Sequence, residues 1–423
     1  MIQDVCGRER VLMDARAMLL ALALVCAGPA AAEERPQASQ AFGGPGSTGA
    51  DLAEDAAPKE PFFRFDLTDR LFAPYLEAKK RLSDGHGFAF GGDYSVVYQH
   101  ASKTNGRSNA LAGMLRLYGS WTLLPDEAGD TGSLIYKLQH NTRLGNATTP
   151  FDLGFEAGSI LPTKAPWGDQ GWLLTNLFWQ QRFLEGRFTV VAGQVDVTDY
   201  VDVYGLVSPW SGFSNLAYLT NPTIAAPNQG LGMAVGGALT DNLYFVAGIA
   251  DANGNPEDPE DGFNSLFDEG ETFQHLEIGW SSSWDRRYLD NIHVTAWHAD
   301  ERGDAGVPDS WGVSASAAWF VEDRWMPFLR AGWSDGEAPL LNASVSFGLG
   351  YLARSHDLLA IGLSWGEPSV GGLDDQYTFE LFYRLQLTEH LAVTPDLQLI
   401  VDPALAPGES TVWVPGLRVR LTF

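Results

Sequence analysis

Residues 376–388 read QYTFELFYRLQLT, and every second side chain in them is apolar. Tyr377, Phe379, Leu381, Tyr383, Leu385 and Leu387 share one face of an extended chain, while Thr378, Glu380, Phe382, Arg384 and Gln386 share the other. That is the period of two of a strand, not the 3.6 of a helix. A charge facing lipid at the bilayer midplane costs about 2–4 kcal/mol. The face bearing Glu380 and Arg384 therefore turns to a watery interior, and the aromatic and leucine face turns to lipid. The last residues repeat the pattern, with Leu417, Val419, Leu421 and Phe423 alternating with Arg418, Arg420 and Thr422.

Working outward, the same texture begins at Phe88 and persists to the end of the chain. Strand-like segments of roughly ten residues are separated by Gly, Asn, Asp and Pro clusters. The expected strands are 88–100, 111–124, 132–144, 172–184, 187–196, 230–239, 243–251 and 272–282, then 289–299, 310–321, 325–334, 342–352, 357–366, 376–388, 390–401 and 412–423. Each is long enough to cross a bilayer at a tilt. Sixteen is an even number, as single-chain bacterial barrels require, and it is a porin size. Connections alternate in length: Glu185-Gly186, Thr240–Asn242, Glu322–Arg324 and Ser355-His356 are short, while 145–171, 197–229 and 252–271 are long. Short periplasmic turns and long outer loops, with both chain ends in the periplasm, give this alternation. The fold class is therefore all-β, a transmembrane antiparallel barrel of about sixteen strands.

Composition agrees with this reading. Hydrophobic residues make up 45 %, aromatics 12 % and charged residues only 19 %, with 46 glycines. Beyond the first thirty or so residues, no stretch is apolar and charge-free for long enough to form a helical span. The formal charge of −26, without a Lys/Arg cluster, excludes nucleic acid as a partner. Arg8, Arg10 and Arg16, an apolar core from Ala17 to Ala27, and Ala30-Ala31-Ala32 read as a signal peptide cut after Ala32, with Met1 or Met13 as the start. Cys6 and Cys26 both fall inside it, so the mature chain is expected to hold no disulfide, thiolate metal site or cysteine nucleophile. Residues 33–85 read as a disordered leader, rich in Pro, Gly and acids to about residue 60, followed by a short helix over Leu67–Leu82. This helix is placed under the barrel or in its mouth. Residues 86–423 form the barrel domain.

Alternation nominates the wall of a solute path. Lys137, Gln139, Asn141 and Arg143 of the third segment face inward, as do Gln180, Arg182, Gln194, Asp196, Arg330, Glu380, Arg384, Asp396, Gln398, Arg418 and Arg420. Donors and acceptors of both signs can replace the water around a sugar's hydroxyls during passage. Pairing among these charges is the alternative. Phe382 and Trp297 are candidate stacking platforms for a pyranose. Trp121, Trp179, Trp280, Trp319, Trp333 and Trp413 fall near strand ends on the outward face, as headgroup anchors do.

No zinc ligand set or nucleophile motif is present, with His293 and His298 on opposite faces of one strand, and neither a cofactor nor enzymatic activity is expected. Asp251–Pro256 begins like a calcium loop. It lacks glycine at the sixth place, and Gly262 stands where the twelfth-place Glu would be. The acids of 252–271 read as a solvated loop, with loose divalent-ion binding as the alternative.

The run Glu380–Ile400, continued through Asp402-Pro403 and closed by Gly416–Phe423, resembles the carbohydrate-selective porins of the OprB type. Trp179-Gln180-Gln181, Val191–Asp196 and Asp251–Asn255 resemble the same family, though Gln194 stands where its pattern carries Lys. The resemblance covers 85–423. It implies a sixteen-stranded outer-membrane barrel admitting small sugars by facilitated diffusion. Its partners would be outer-membrane lipid and lipopolysaccharide, further copies of the chain, and the barrel-assembly machinery, which would read the terminal Phe423. A general or cation-preferring porin and a plugged structural or adhesive barrel remain as alternatives. A TonB-dependent transporter is disfavoured, since about 50 N-terminal residues cannot make its plug domain.

Overall fold

The computed structural model describes residues 42–64, 66–126 and 129–423. The expected signal peptide, its two cysteines and both candidate starts lie outside them. Sixteen strands form a closed antiparallel barrel. They are Phe88–His100 (β1), Asn109–Leu124 (β2), Gly132–Arg143 (β3), Gly171–Phe183 (β4), Phe188–Val195 (β5), Gly230–Ala238 (β6), Leu243–Asp251 (β7) and Thr272–Ser281 (β8). The second eight are Asn291–Ala299 (β9), Ser310–Ala318 (β10), Trp325–Asp335 (β11), Leu341–Arg354 (β12), Asp357–Pro368 (β13), Gln376–Gln386 (β14), Leu391–Val401 (β15) and Thr411–Thr422 (β16). Every strand pairs with its sequence neighbours. The seam closes where β16 meets β1, from Asp93↔Thr422 to Gln99↔Gly416. All sixteen expected strands are present, because each carries the alternation that one lipid-facing side imposes.

That alternation is visible as exposure. On β8, β9 and β10 alternate residues are buried and exposed, with Leu276, Ile278, Ile292, Val294 and Val313 on the outside. All six nominated tryptophans occupy the outward face near strand ends. Trp121 and Trp280 are exposed at the end with the shorter turns, where Trp280 also stacks on Trp319 at 5.4 Å. Trp333 and Trp413 are exposed at the long-loop end. Two aromatic belts thus bracket an apolar band.

The N-terminal segment departs from expectation. A disordered leader was expected to about residue 60, yet Thr48–Ala56 forms a helix (α1) inside the barrel. Ser47 caps it by accepting a hydrogen bond from the Ala50 N–H. The reason lies in its acids. Asp51, Glu54 and Asp55 recur at helical spacing and meet cationic or phenolic partners on the wall, so the lumen supplies the partners that bulk water would otherwise provide. A second helix (α2), Asp66–His86, covers the expected 67–82. It runs along the rim at the end bearing both barrel termini. The Phe62 N–H donates to the Gln386 carbonyl at 2.9 Å, Phe72 stacks on His390 at 4.3 Å, and Lys79 Nζ donates to the Phe423 carbonyl at 3.3 Å.

The connection 196–229 between β5 and β6 also folds into the lumen. Tyr204, Leu206, Phe213 and Tyr218 pack against Phe328, Leu358, Ala360 and Phe382 of the wall. Phe213 meets Tyr218 at 4.6 Å and Phe382, edge-on, at 5.1 Å. Gly348 and Gly362 make room, since a Cβ at either would lie within 2.6 Å of a Phe328 or Tyr218 ring carbon. Phe382 is 1 % exposed and Trp297 is 3 % exposed, stacked on Phe273. Neither is a platform open to a sugar, because ordered chain already covers both rings.

Candidate functional site: the lumen

Three inserted pieces, residues 42–57, 150–170 and 196–229, supply most of what the inward wall residues touch. On the β14–β16 wall, carboxylate and amide side chains hold the long loop. Glu380 accepts from the backbone N–H groups of Ser214 and Asn215 at 2.5 and 2.8 Å. Gln398 accepts from Asn215 Nδ2 at 3.0 Å and donates to the Thr163 carbonyl at 2.8 Å, while also donating to Asp396 at 3.1 Å. Arg418 donates to the carbonyls of Pro209 and Gly212 at 3.0 and 2.9 Å. Arg330, on β11, pairs with Asp202 and donates to the Leu219 carbonyl at 2.5 Å. His293 approaches Asp202 at 3.2 Å, whereas His298, on the opposite face of β9, is part-exposed near Asp300 and Asp309.

Arg384 and Arg420 serve the N-terminal segment. Arg384 meets Glu54 at 3.3 Å, and Arg420 meets Glu54 at 3.3 Å and Asp93 at 2.9 Å. Arg116 of β2, fully buried, joins Asp51 at 2.7 Å to Asp93 and stacks over Trp210 at 3.9 Å. The Tyr118 hydroxyl donates to Asp55 at 2.8 Å. A charge removed from water needs partners of this kind, because breaking a buried pair costs about 3–5 kcal/mol.

The β2–β4 side is different, because there the wall residues border open space. A cavity of about 390 Å³ at the long-loop end is lined by Thr198, Thr220, Asn228, Gln229, Asp300 and Arg302, among others. It shares Thr198, Leu216, Thr220, Asn228 and Gln229 with a second cavity of about 320 Å³, which reaches Gln139, Asn141, Gln170, Asp196 and Asp199. Asp196 and Asp199 in turn line a third cavity, of about 180 Å³, beside α1. The first two match the lower end of the volumes that hold small molecules. Lys137 lies buried behind the shared Asp199, donating to the Gly46 carbonyl at 3.0 Å and pairing with Asp199 at 3.3 Å. Burial pushes the Asp199 carboxyl up to about 7, against the pull of Lys137.

The nominated residues therefore divide. Gln139, Asn141, Gln180 and Asp196 line cavities, whereas Lys137 is buried behind them, bonded to Gly46 and Asp199. Asp196 does so from the loop rather than from a strand, because β5 ends at Val195 and Asp196 caps the turn Val197–Asp199 by accepting from the Thr198 N–H. Arg330, Glu380, Arg384, Asp396, Gln398, Arg418 and Arg420 are inward but contact folded-in chain. Gln194 is inward too, its amide donating to the Leu174 and Gln229 carbonyls. Arg143 lies at the exposed rim beside Asp169, and Arg182 is half-buried near the β4–β5 turn. Alternation did not reach Asp51, Glu54, Asp199 or Asp202, which are not on strands. Arg116 did alternate with lipid-facing Leu115 and Leu117 and was legible in that way.

Residues 142–306 and 285–423 match the carbohydrate-selective porin, OprB family. Porin AaxA of Chlamydia pneumoniae is 30% identical over 123 residues, 26% of this chain and 28% of that protein. The fold is similar to that of Pseudomonas putida OprB. Its high-pH structure gives a TM-score of 0.65 at 17% identity, covering 82% of this chain and 97% of that one. Its low-pH structure gives 0.52 at 16% identity, covering 86% and 100%. A porin family and a closed barrel imply a channel in the bacterial outer membrane rather than an enzyme, and the chain belongs to the carbohydrate-selective porin family.

Proposed function

We propose that this protein admits small uncharged sugars across the outer membrane, with both ends of the barrel chain facing the periplasm. The observation that carries this reading is the series of adjoining cavities that extends from the long-loop end to the β2–β4 wall. They are bordered by Gln139, Asn141, Gln170, Asn228 and Gln229, with Asp199 shared between two of them and paired to the buried Lys137. Amides offer donors and acceptors together, as hydroxyls require, and a paired charge holds neither a cation nor an anion strongly. Liposome swelling with sugars of graded size tests it: rapid swelling with monosaccharides, slowing with size, is the expected result. Exclusion of every sugar by well-folded protein would overturn it. A second reading, cation preference, is favoured by Asp196 and Asp199 bordering the passage in a chain of net charge −26. Reversal potentials in a salt gradient separate the two.

A further inference from the structure

Residues 43–57 have two unlike sides. One carries Asp51, Glu54 and Asp55, bonded to Arg116, Arg384, Arg420 and Tyr118. The other borders the cavities: Gly46 lines the one of about 320 Å³, and Ser47, Thr48, Gly49 and Leu52 line the one of about 180 Å³. Facing them across the space are Ile135, Asn176, Phe178 and Gln180 of β3 and β4. The alternative route, along β11–β14, is filled by Phe213, Tyr218, Phe328 and Phe382.

We propose that this N-terminal segment is the inner wall of the solute passage and sets its width, with the narrowest point beside Gly46 and Asp199, which the buried Lys137 holds together from behind. The proposal rests on the porin reading and adds a selectivity element that lies on no strand and in no outer loop. The ion pairs fix the segment's position. Its small residues, Gly46, Ser47, Thr48 and Gly49, leave the space. Asn176 donates to Asp199 at 3.1 Å and Lys137 pairs with it from the other side, so the narrow point offers hydrogen bonds around a charge that is balanced once Asp199 is ionised. A neutral polyhydroxylated solute passes such a point more easily than an anion, which would compete with Asp199 for Lys137.

Gly46 gives a direct test. A Cβ built there would stand 3.6 Å from the Pro209 ring and the Val207 carbonyl, and 4.0 Å from Asp199 Oδ1, which is ordinary contact. Its backbone is not left-handed, so a side chain is accepted, and a large one extends into the cavity it lines. Gly46→Phe, assembled as a heat-modifiable barrel in liposomes, should admit glucose at least tenfold more slowly than wild type. Leu52→Ala should widen the next cavity and raise raffinose entry relative to glucose several-fold. Should Gly46→Phe fail to assemble, the Leu52→Ala ratio decides alone. Wild-type rates and ratios in both folded variants would overturn the proposal and leave the porin reading intact. Wild-type liposomes that admit no sugar would end both.

Discussion

The β11–β14 side of this barrel and the β2–β4 side are built on the same alternation yet have different interiors. In the first, the inward Phe328, Gly348, Ala360, Gly362 and Phe382 are closed over by Phe213 and Tyr218, and the inward charges Arg330 and Glu380 are taken up by the same loop. In the second, the inward Lys137, Gln139, Asn141, Asn176 and Gln180 are long and polar and stand beside open cavities. Facing inward is thus a statement about lipid, not about water. What an inward side chain meets depends on which piece of chain returns to cover it. The aromatic half gains stability by burying carbon, and the polar half by pairing charge around space.

The strongest attempt to break this contrast acts on the charges. Arg116→Ala removes the nearer partner of Asp51 and leaves both Asp51 and Asp93 to Arg420, and the expected loss is about 3–5 kcal/mol. It is read as a lower temperature for loss of the compact barrel on unboiled gels. A similar or slightly smaller loss, about 3–5 kcal/mol, is expected for Phe213→Ala, which empties the centre of the aromatic half. That variant should also raise ion conductance, because a cavity appears where the lumen was filled. Unchanged conductance would show that the long loop recloses over the gap.

A smaller effect concerns Asp199, whose surroundings include Lys137, Asp196 and Asp51. Its folded-state carboxyl titrates at about 7, above its usual value of 3.8. The folded protein therefore keeps a proton that the unfolded chain releases between these values, so this group's contribution to stability declines as pH rises across that window. Asp199→Asn should flatten that part of the pH profile of unfolding. It should also remove a rise in cation preference as pH passes about 7, since only the ionised acid balances Lys137. Least in size, deletion of Phe423 is expected to lower outer-membrane yield a few-fold without blocking secretion. Cell fractionation measures it, and an unchanged yield would remove the assembly role.

The strands were legible because lipid on one side and a polar lumen on the other impose alternation on every strand, and strand length with alternating loop lengths set a barrel apart from a soluble sheet. Residues 376–388 display the pattern, and it recurs in all sixteen segments. The contents of the lumen were harder to read. Alternation located Glu380 and Arg418 inside but carried no information on their partners, which lie far off in sequence at Ser214 and Pro209. One signal was available. Residues 197–229 hold Tyr200, Tyr204, Trp210, Phe213 and Tyr218 but only two charges, Asp199 and Asp202, a composition unsuited to a solvated loop. The small inward residues of β12 and β13 were its complement. For residues 42–60, low hydrophobicity concealed order, because α1 is held by ion pairs rather than by an apolar face.

Arg420 links three parts of the chain that are made at different times. It lies on the last strand, bonds Asp93 on the first, and also reaches Glu54 and Asp51 on the helix inside. A cylinder sealed without its inner helix would leave this buried guanidinium with Asp93 alone, and Arg384 without Glu54. Sealing and filling are therefore favoured together: the seam is most stable with its helix inside, and the helix is held best by a closed seam, because one guanidinium serves both.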